Sequence, residues 1–271
     1  MNTPQQNQPN WDLIAEKFDL WIPQLAPVGE ALIKALKVTP GERILDVATG
    51  TGEPGFTLAR RFGATIHLTA IDAAEGMVRA ARNKARAEGL NQVEFHTMAA
   101  EAITLPEESF DALLSRFGVM LFTDVTRGLQ AMHRVLKPGG RYALAVWSTP
   151  ESMTTLCWAQ QIFKERLPPE AQPPIAAITS LGQPGAFASA LHAAGYRNFT
   201  VTPLQFNYTF ADVNTYWQTI VDSGIMQPQL DALKPGELEE VRDELATLAA
   251  SYQTDQGLVI PHEFLLANGI K

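Results

Sequence analysis

ILDVATGTG, residues 44–52, is the stretch of this sequence that decides the fold. Its first half is an apolar run typical of a buried strand, and its second half is a glycine turn that opens a helix. Gly50 and Gly52 can adopt backbone conformations closed to other residues and let a ligand approach the main chain. The next strand ends at Asp72, twenty residues after Gly52, where a carboxylate can accept hydrogen bonds from ribose hydroxyls. We therefore predict a nucleoside-binding α/β domain.

Two classes of nucleoside cofactor fit this turn. Residues 50–55 match the G-x-G-x-x-G pattern of proteins that bind NAD(P) or a flavin dinucleotide, and this alternative stays open. Asp46 near the strand end and Glu53 at the helix entrance argue against it, because negative charges there would repel a diphosphate. The same charges suit a cofactor that carries ammonium and sulfonium groups, so S-adenosylmethionine (SAM) fits the sequence better.

The chain around this turn alternates short strands and helices, which predicts a mostly parallel sheet with helices on both faces. The predicted strands are Arg43–Ala48, Thr65–Ile71, Val93–His96, Phe110–Ser115, Arg141–Trp147, Phe199–Phe210 and Gly257–Leu266. The predicted helices of this core are Glu53–Arg61, Ala74–Glu88, Val125–Leu136 and Gly185–Ala194. The predicted fold class is therefore α/β: a Rossmann-like open sheet with an antiparallel last strand and helical lid insertions.

The chain divides into a capping segment, a core and two insertions. Residues 1–38 are predicted to form a flexible tail, at 1–10, and capping helices, at Trp11–Leu20 and Val28–Leu36. Residues 39–147 form the nucleoside-binding core, and residues 184–210 and 257–271 complete its sheet. We interpret residues 148–183 and 211–256 as helical lids, because the first follows a parallel strand at the edge where open α/β sheets bind ligands. In the second, Leu238, Val241, Leu245 and Leu248 share one helix face. Surface helices packed on their own domain are the alternative.

Composition argues against several classes of function. A net charge of −8 disfavours a nucleic-acid partner, which requires a basic face. Cys157 is the single cysteine, which excludes an intramolecular disulfide and a multi-cysteine metal site, and we predict no metal. No apolar run approaches the ~20 residues of a membrane span, and the polar N-terminus carries no apolar signal core. We expect a cytoplasmic protein.

From Trp11 to Trp147 the motifs resemble, in order and spacing, those of the class I SAM-dependent methyltransferases. Residues 46–52 are similar to the family's first motif, Asp72 to its ribose-binding acid, and residues 99–101 to the motif that meets the adenine. Residues 136–140, LKPGG, resemble the turn before the fifth strand. The resemblance implies a set of cofactor-binding residues: Phe18, Asp46, Ala48, Thr49, Gly50, Gly52, Asp72, Ala73, Met77, Ala100, Glu101, Ser115 and Phe117.

Residues 115–118, SRFG, narrow the resemblance to the ubiquinone- and menaquinone-biosynthesis methyltransferases and their small-molecule relatives. By this resemblance the backbone near Ser115 and Phe117 faces the methionine end of SAM, and an N-terminal helix with Trp11 and Phe18 closes over the cofactor. Core packing of Trp11, Phe18 and Trp21 is the alternative. SRFG also differs from the Asn/Asp-Pro-Pro-aromatic motif by which nucleic-acid methyltransferases hold a flipped base.

Two residues depart from the family pattern. Ala48 stands where many relatives have the first glycine, so we expect a stiffer loop. Ala99 stands where many have an aspartate that binds the adenine amino group. Loss of one hydrogen bond costs ~0.5–1.5 kcal/mol, which would weaken cofactor binding without abolishing it.

Methyl transfer from a sulfonium is a direct displacement for which positioning alone can supply ~7–11 kcal/mol, so no catalytic side chain is obligatory. A base would help if the acceptor is a phenol or an enol. None of the five histidines, at positions 67, 96, 133, 192 and 262, falls in a predicted crevice loop, so we expect structural roles for them. Arg116 is the candidate catalytic residue, able to orient an acidic or quinone-like acceptor; a surface or ion-paired arginine is the alternative. Trp147, Trp158 and Phe163 are candidates for an apolar acceptor pocket or for plain core.

The sequence therefore predicts SAM-dependent methyl transfer to a small molecule. An NAD(P)-dependent oxidoreductase and a fold relative that binds a partner without catalysis are the alternatives. The identity of the acceptor, the atom that is methylated and the oligomeric state are left open.

Overall fold

The apolar run before the glycine turn is the central strand of the sheet. A computed structural model describes residues 9–271, so eight of the ten residues of the predicted flexible tail lie outside the described residues. The strands in the described part are β1 (Arg43–Val47), β2 (His67–Asp72), β3 (Val93–Thr97), β4 (Phe110–Arg116), β5 (Leu136–Trp147), β6 (Asn198–Phe210), β7 (Gln253–Thr254) and β8 (Gly257–Ile270).

The α-helices of the same residues surround this sheet. They are α1 (Trp11–Ile14), α2 (Ile22–Leu36), α3 (Gly55–Phe62), α4 (Glu75–Glu88), α5 (Val125–Val135), α6 (Thr154–Lys164), α7 (Ile175–Ile178), α8 (Ala186–Ala193), α9 (Val213–Ser223), α10 (Gln227–Asp231) and α11 (Glu237–Ala249). Glycine in the left-handed region ends α4 at Gly89, as its place after the last helical residue predicts.

The strand order confirms the predicted fold class. The sheet runs β3-β2-β1-β4-β5-β8-β6, with β7 paired to β8. The strands from β3 to β5 are parallel to their neighbours, whereas β8 is antiparallel to both β5 and β6. The order reverses between β1 and β4. Ligands of open α/β sheets bind at the carboxyl ends of the strands at such a point.

The core is centred on β1 and β4, which are covered on both faces. Ile44, Leu45, Leu113 and Leu114 are fully buried. Helix α2 packs against β4 and β5 with its apolar face. A central parallel strand with a continuous apolar run must be covered by helices on both faces. The apolar residues at the start of the stretch 44–52 form such a run.

Several predicted boundaries are wrong for local reasons. Helix α3 begins at Gly55 instead of Glu53, because the loop continues through Pro54 and the Glu53 carboxylate accepts a hydrogen bond from Thr57 N (3.1 Å) as a cap. The predicted turn at residues 137–140 belongs to β5, which starts with a register shift opposite Phe110. The first capping helix ends at Ile14, and a 3-10 turn follows at Phe18–Trp21.

The two insertions pack against each other. Helix α11 contacts α6 and α9, and Val241 and Leu245 of α11 are buried, as predicted. Leu238 of the predicted apolar face is instead 47% exposed, since it lies in the first turn of α11 at the protein surface. Whether the insertions move as lids stays a prediction. No helix among residues 9–271 is long and apolar enough to cross a membrane.

Candidate functional site

A cavity of about 840 Å³ lies at the carboxyl ends of β1, β2 and β4. Its near wall is formed by the glycine loop after β1 and by the residues that follow β2, β3 and β4. Its far wall is formed by α6 and α9–α11 from the two insertions. The cavity lies at the upper end of the usual volume range for small-molecule sites and joins a polar end to an apolar end.

The glycine loop leaves β1 through three residues in the left-handed region. Ala48 and Gly50 have φ of +57°, and Gly52 has φ of +110°. A Cβ on Gly52 would lie 2.4 Å from the ring of Phe56, so Gly52 serves close packing of α3. Ala48 occupies a conformation that costs an L-residue roughly 1–2 kcal/mol. This strain explains why a glycine is common here and supports the expectation of a stiffer loop.

Asp72 is fixed at the end of β2 by the backbone of two loops. Its Oδ2 accepts a hydrogen bond from Gly50 N (2.8 Å) and its Oδ1 accepts one from Ala74 N (2.9 Å). Burial raises the pKa of the Asp72 carboxyl. Each carboxylate oxygen keeps a further lone pair, so the group can still accept hydrogen bonds from two ligand hydroxyls.

Asp46 is buried beneath the loop and does not line the cavity. Its Oδ2 accepts hydrogen bonds from Thr49 Oγ1 (2.9 Å) and Gly55 N (3.2 Å), whereas Oδ1 is buried without a partner. Burial raises the pKa of Asp46 to about 7. The Asp46 carboxyl can therefore act on a ligand only through its charge, without direct contact.

Glu53 corrects the prediction that two free acids face the cofactor. It lines the cavity, but its Oε1 forms an ion pair with Arg60 Nη1 (2.6 Å). Its Oε2 accepts a hydrogen bond from Thr57 Oγ1 (2.8 Å). Because α3 starts at Gly55, Glu53 lies just before the helix. Its carboxylate can therefore accept a hydrogen bond from the backbone N–H of Thr57 in the first turn. Its charge is neutralised there.

The N-terminal segment covers the polar end of the cavity. The rings of Trp11 and Phe18 meet edge to face at 5.9 Å, and both line the cavity. Asp12 Oδ1 accepts a hydrogen bond from Gly76 N (2.5 Å), which anchors α1 at the start of α4. Trp21 is 7% exposed, packs in the hydrophobic core and also lines the cavity. Trp11 and Phe18 therefore fit the predicted cap, and Trp21 fits the core alternative while it also lines the cavity.

Arg116, the last residue of β4, contributes a charged side chain to the cavity wall. It lines the cavity, and within residues 9–271 its guanidinium forms no hydrogen bond or ion pair. Burial lowers the pKa of its guanidinium to about 10, although Asp46 and Glu53 favour the charged form. It remains charged at neutral pH and has five donors available for a ligand.

Apolar and aromatic side chains dominate the far end. Phe117 stacks on Trp147 with ring centroids 3.5 Å apart, and Trp158 and Phe163 line the same chamber. A few residues that carry polar groups lie among them: Trp21, Thr155, Tyr208, Tyr216 and Gln229. Trp21 Nε1 and Gln229 Nε2 are buried without a hydrogen-bond partner.

Comparisons with known proteins agree with this geometry. A profile of the ubiE/COQ5 methyltransferase family matches residues 19–176, more than half of the chain. The chain belongs to this family. It is similar to the ubiquinone/menaquinone biosynthesis C-methyltransferase UbiE of Geobacter sulfurreducens, at 37% identity over 121 residues, which cover 44% of this chain and 47% of the relative. The chain thus spans about half the length of the curated relatives it matches.

Solved structures share the fold at low identity. The YcgJ protein of Bacillus subtilis aligns over 91% of this chain and 98% of its own, with a TM-score of 0.60 and 19% identity. The phosphoethanolamine N-methyltransferase 2 of Haemonchus contortus, solved with S-adenosylhomocysteine, aligns over 94% of this chain and 56% of its own, with a TM-score of 0.60 and 16% identity. These matches support the fold of a SAM-dependent methyltransferase.

The structure brings together most of the predicted cofactor residues. Those that line the cavity are Phe18, Ala48, Thr49, Gly50, Asp72, Ala73, Met77, Ala100, Glu101 and Phe117. Asp46 lies beneath the loop and Gly52 packs against Phe56, so neither lines the cavity. Ser115 is fully buried and also does not line the cavity, because it still belongs to β4 and its side chain points into the core. Phe117, with φ of +60°, has left the strand and turns toward the cavity.

Sequence reasoning missed the polar residues of the far wall. Thr155, Tyr208, Tyr216 and Gln229 come from segments far apart in the chain and carry no motif. His262 lies in β8 as predicted, but its imidazole contacts Thr155 of the cavity wall. Within residues 9–271 no group of three or more His, Cys, Asp or Glu side chains could hold a metal ion.

Gln229→Met is expected to stabilise the cofactor-free protein by about 1 kcal/mol, because a buried unpartnered amide costs ~1–3 kcal/mol. For a chain of this size the change corresponds to a rise in Tm of about 2–4 °C. Thermal denaturation checks it. Gln227→Met, at an exposed position on the same helix, is the control and should leave Tm unchanged. A lower Tm for Gln229→Met would mean that the amide has a partner in the protein.

Proposed function

We propose that this chain transfers a methyl group from SAM to a small, largely apolar, ring-bearing acceptor. The observation that carries the proposal is one continuous cavity, which joins Asp72 and the glycine loop at one end to an aromatic chamber at the other. Arg116, the last residue of β4, and Phe117 line the same cavity. An enzyme that brings a nucleoside cofactor and an apolar second substrate into contact needs this arrangement.

The residues present fit SAM. Asp72 would accept the ribose hydroxyls, and Met77 with the backbone of residues 99–101 would surround the adenine. Asp46 would attract the positive methionine end through its field, since its Oδ1 is buried without a hydrogen-bond partner. With Glu53 paired to Arg60, Asp46 is the acid that disfavours a diphosphate at this position. Ala99 offers no side-chain acceptor to the adenine amino group, which leaves the backbone to bind it.

Bound SAM supplies an electrophilic methyl group on a sulfonium, and the chain supplies position and a dry site. The aromatic walls exclude water that would compete as nucleophile. Phe117 and Trp147 offer flat faces to an acceptor ring. Arg116 can bind an oxygen of the acceptor and stabilise negative charge that develops there when its proton leaves.

The acceptor is proposed to be quinone-like. The support is the name of the relatives, which are ubiquinone/menaquinone biosynthesis C-methyltransferases, together with the aromatic chamber in which Phe117 and Trp147 lie. The same names support carbon as the atom that is methylated. The proposed partner is a small molecule and not a nucleic acid. The cytoplasmic location stays a prediction.

The affinity for SAM is expected to rise with pH up to about pH 7 and then to level. Burial raises the pKa of Asp46 to about 7, so below this pH the cofactor-free protein holds the carboxyl protonated. A nearby cation favours the carboxylate, and binding must then release the proton, which changes the affinity by up to about tenfold per pH unit. Calorimetric titrations at pH 6 in two buffers of different ionisation enthalpy measure this release. Asp46→Asn, which keeps an oxygen for Gly55 and Thr49, should abolish it; equal release in both proteins would contradict the assignment.

The proposed function is tested by titrating the protein with S-adenosylhomocysteine and, separately, with NADPH. The cavity contains several tryptophans, so intrinsic fluorescence reports binding directly. We expect saturable binding of S-adenosylhomocysteine and none of NADPH. The opposite result would support the dinucleotide alternative, and binding of neither would support a non-catalytic role.

A further inference from the structure

His262 is a buried histidine that the proposed chemistry does not use. It lies in β8, is fully buried, and places its Nδ1 3.0 Å from the carbonyl oxygen of Ile260. Its Nε2 lies 2.8 Å from Thr155 Oγ1. A carbonyl oxygen can only accept, so Nδ1 carries the hydrogen and donates it to Ile260. In the neutral imidazole Nε2 then has a lone pair and can only accept.

The surroundings of His262 keep it neutral. Burial lowers its pKa to about 4. Its ring lies against Tyr208, with ring centroids 4.1 Å apart, and near Phe206, at 5.6 Å. Among the residues within hydrogen-bond distance of its nitrogens, Thr155 and Ile260, there is no acid to stabilise an imidazolium.

The direction of the hydrogen bond to Thr155 follows from this tautomer. Because Nε2 accepts, the hydroxyl of Thr155 must donate to it. The backbone N–H of Thr155 also points at Nε2, at 3.4 Å. Thr155 Oγ1 then has no hydrogen left to give and offers only lone pairs on its other side, where it lines the cavity.

Tyr216 is a second hydroxyl-bearing residue beside Thr155. Its hydroxyl approaches the side chain of Thr155, and Tyr216 also lines the cavity. Because the Thr155 hydrogen is committed to His262, a hydrogen bond between the two hydroxyls runs from Tyr216 to Thr155 Oγ1. The phenolic oxygen of Tyr216 then offers only lone pairs to a ligand.

We propose that His262 fixes the hydrogen-bond polarity of the acceptor end of the cavity, so that Thr155 accepts a hydrogen from the molecule to be methylated. That molecule must therefore present an O–H or N–H group at this wall, and an ether or a carbonyl there is disfavoured. His262 is a positioning residue that acts through Thr155. It lies outside residues 19–176, the part of the chain that matches the family profile. The inference rests on the proposed function only in treating the occupant of this end as the methyl acceptor.

The test uses two probes that share the naphthalene ring and differ by one methyl group on the oxygen, 1-naphthol and 1-methoxynaphthalene. Their affinities are measured by quenching of tryptophan fluorescence in the presence of saturating S-adenosylhomocysteine. The wild-type protein should bind 1-naphthol about threefold to tenfold more tightly, the value of one hydrogen bond. Thr155→Val, which removes the hydroxyl at constant shape, should reduce this ratio to near one. Thr155→Ser, which keeps the hydroxyl, should retain the ratio.

His262→Phe gives a signature that a purely structural role would not produce. Without Nε2 the Thr155 hydroxyl is free to donate, so the affinity for 1-methoxynaphthalene should rise while that for 1-naphthol changes little. If this core variant does not fold, as judged by circular dichroism, the Thr155 pair alone decides the question. A ratio that is unchanged in Thr155→Val, equal affinities in the wild type, or no binding of either probe overturns the inference.

The controls separate this inference from the proposed function. The affinity for S-adenosylhomocysteine, measured by calorimetry, should be the same in all four proteins, because Thr155 and His262 lie at the far end of the cavity. If S-adenosylhomocysteine does not bind the wild type, the proposed function fails. The probe ratio, measured without it, then still tests the polarity of the wall.

Discussion

Asp72→Ala is expected to weaken SAM binding at least about a hundredfold while the protein remains folded. Hydrogen bonds from Gly50 N and Ala74 N hold the carboxylate in place. Binding the ribose hydroxyls therefore does not require the Asp72 side chain to lose conformational entropy. Hydrogen bonds to a charged group contribute about 1.5–3 kcal/mol each, and a ribose offers two hydroxyls. Calorimetric titration with SAM measures the loss. Burial already raises the pKa of this carboxyl, so its removal should not unfold the cofactor-free protein.

Two further variants make the Asp72 result specific. Asp72→Asn keeps the shape and one oxygen, and we expect an intermediate loss of affinity. Glu94→Ala removes an exposed acid from the adjacent strand β3 and should leave the affinity unchanged. An unchanged affinity in Asp72→Ala would contradict the placement of the ribose at β2.

Arg116→Met should lower the rate of methyl transfer at least about a hundredfold. A charged guanidinium that lines the cavity without a protein partner is available for an oxygen of the bound acceptor, and truncating one partner of a buried charged hydrogen bond costs ~2–5 kcal/mol. Transfer of the labelled methyl group of SAM to 1,4-naphthalenediol measures the rate. The stability of the cofactor-free protein should not fall, because the variant removes a buried charge that has no hydrogen-bonded partner.

The matched control for Arg116 is Arg127→Met, at an exposed position of α5. It carries the same change of side chain and should transfer the methyl group at the wild-type rate. If Arg116→Met keeps wild-type kcat/KM, Arg116 does not contact the acceptor. If it loses stability instead, the guanidinium has a structural partner.

The polar end of the site could be predicted because its signals are local. The turn at residues 48–52 and Asp72 belong to two consecutive strands, and the register between β1 and β2 brings them together. A side chain's direction near a strand end was harder to predict. Ser115 and Phe117 are two residues apart and would share a face of a continuing strand, but the left-handed φ of Phe117 ends the strand between them.

The acceptor end could not be predicted for a different reason. Thr155, Tyr216 and Gln229 lie on three helices of two insertions, and nothing in the spacing of these residues indicates that α6, α9 and α10 meet over one cavity. The pairing of Glu53 with Arg60 was missed because it depends on where α3 begins. With the helix start two residues too early, Glu53 was interpreted as a free acid that repels a diphosphate, whereas its charge is paired with Arg60. His262 was correctly placed in a strand, yet its function depends on a contact with a residue more than a hundred positions away.

The measurement that tests the central claim most directly is a crystal structure of this protein with S-adenosylhomocysteine. We predict density for a nucleoside at the end of β2, with both ribose hydroxyls within hydrogen-bond distance of Asp72 and with the sulfur directed toward Arg116 and the aromatic chamber. A ligand bound elsewhere, or a cavity that binds the diphosphate of a dinucleotide at Gly50 in place of this compound, would contradict the account.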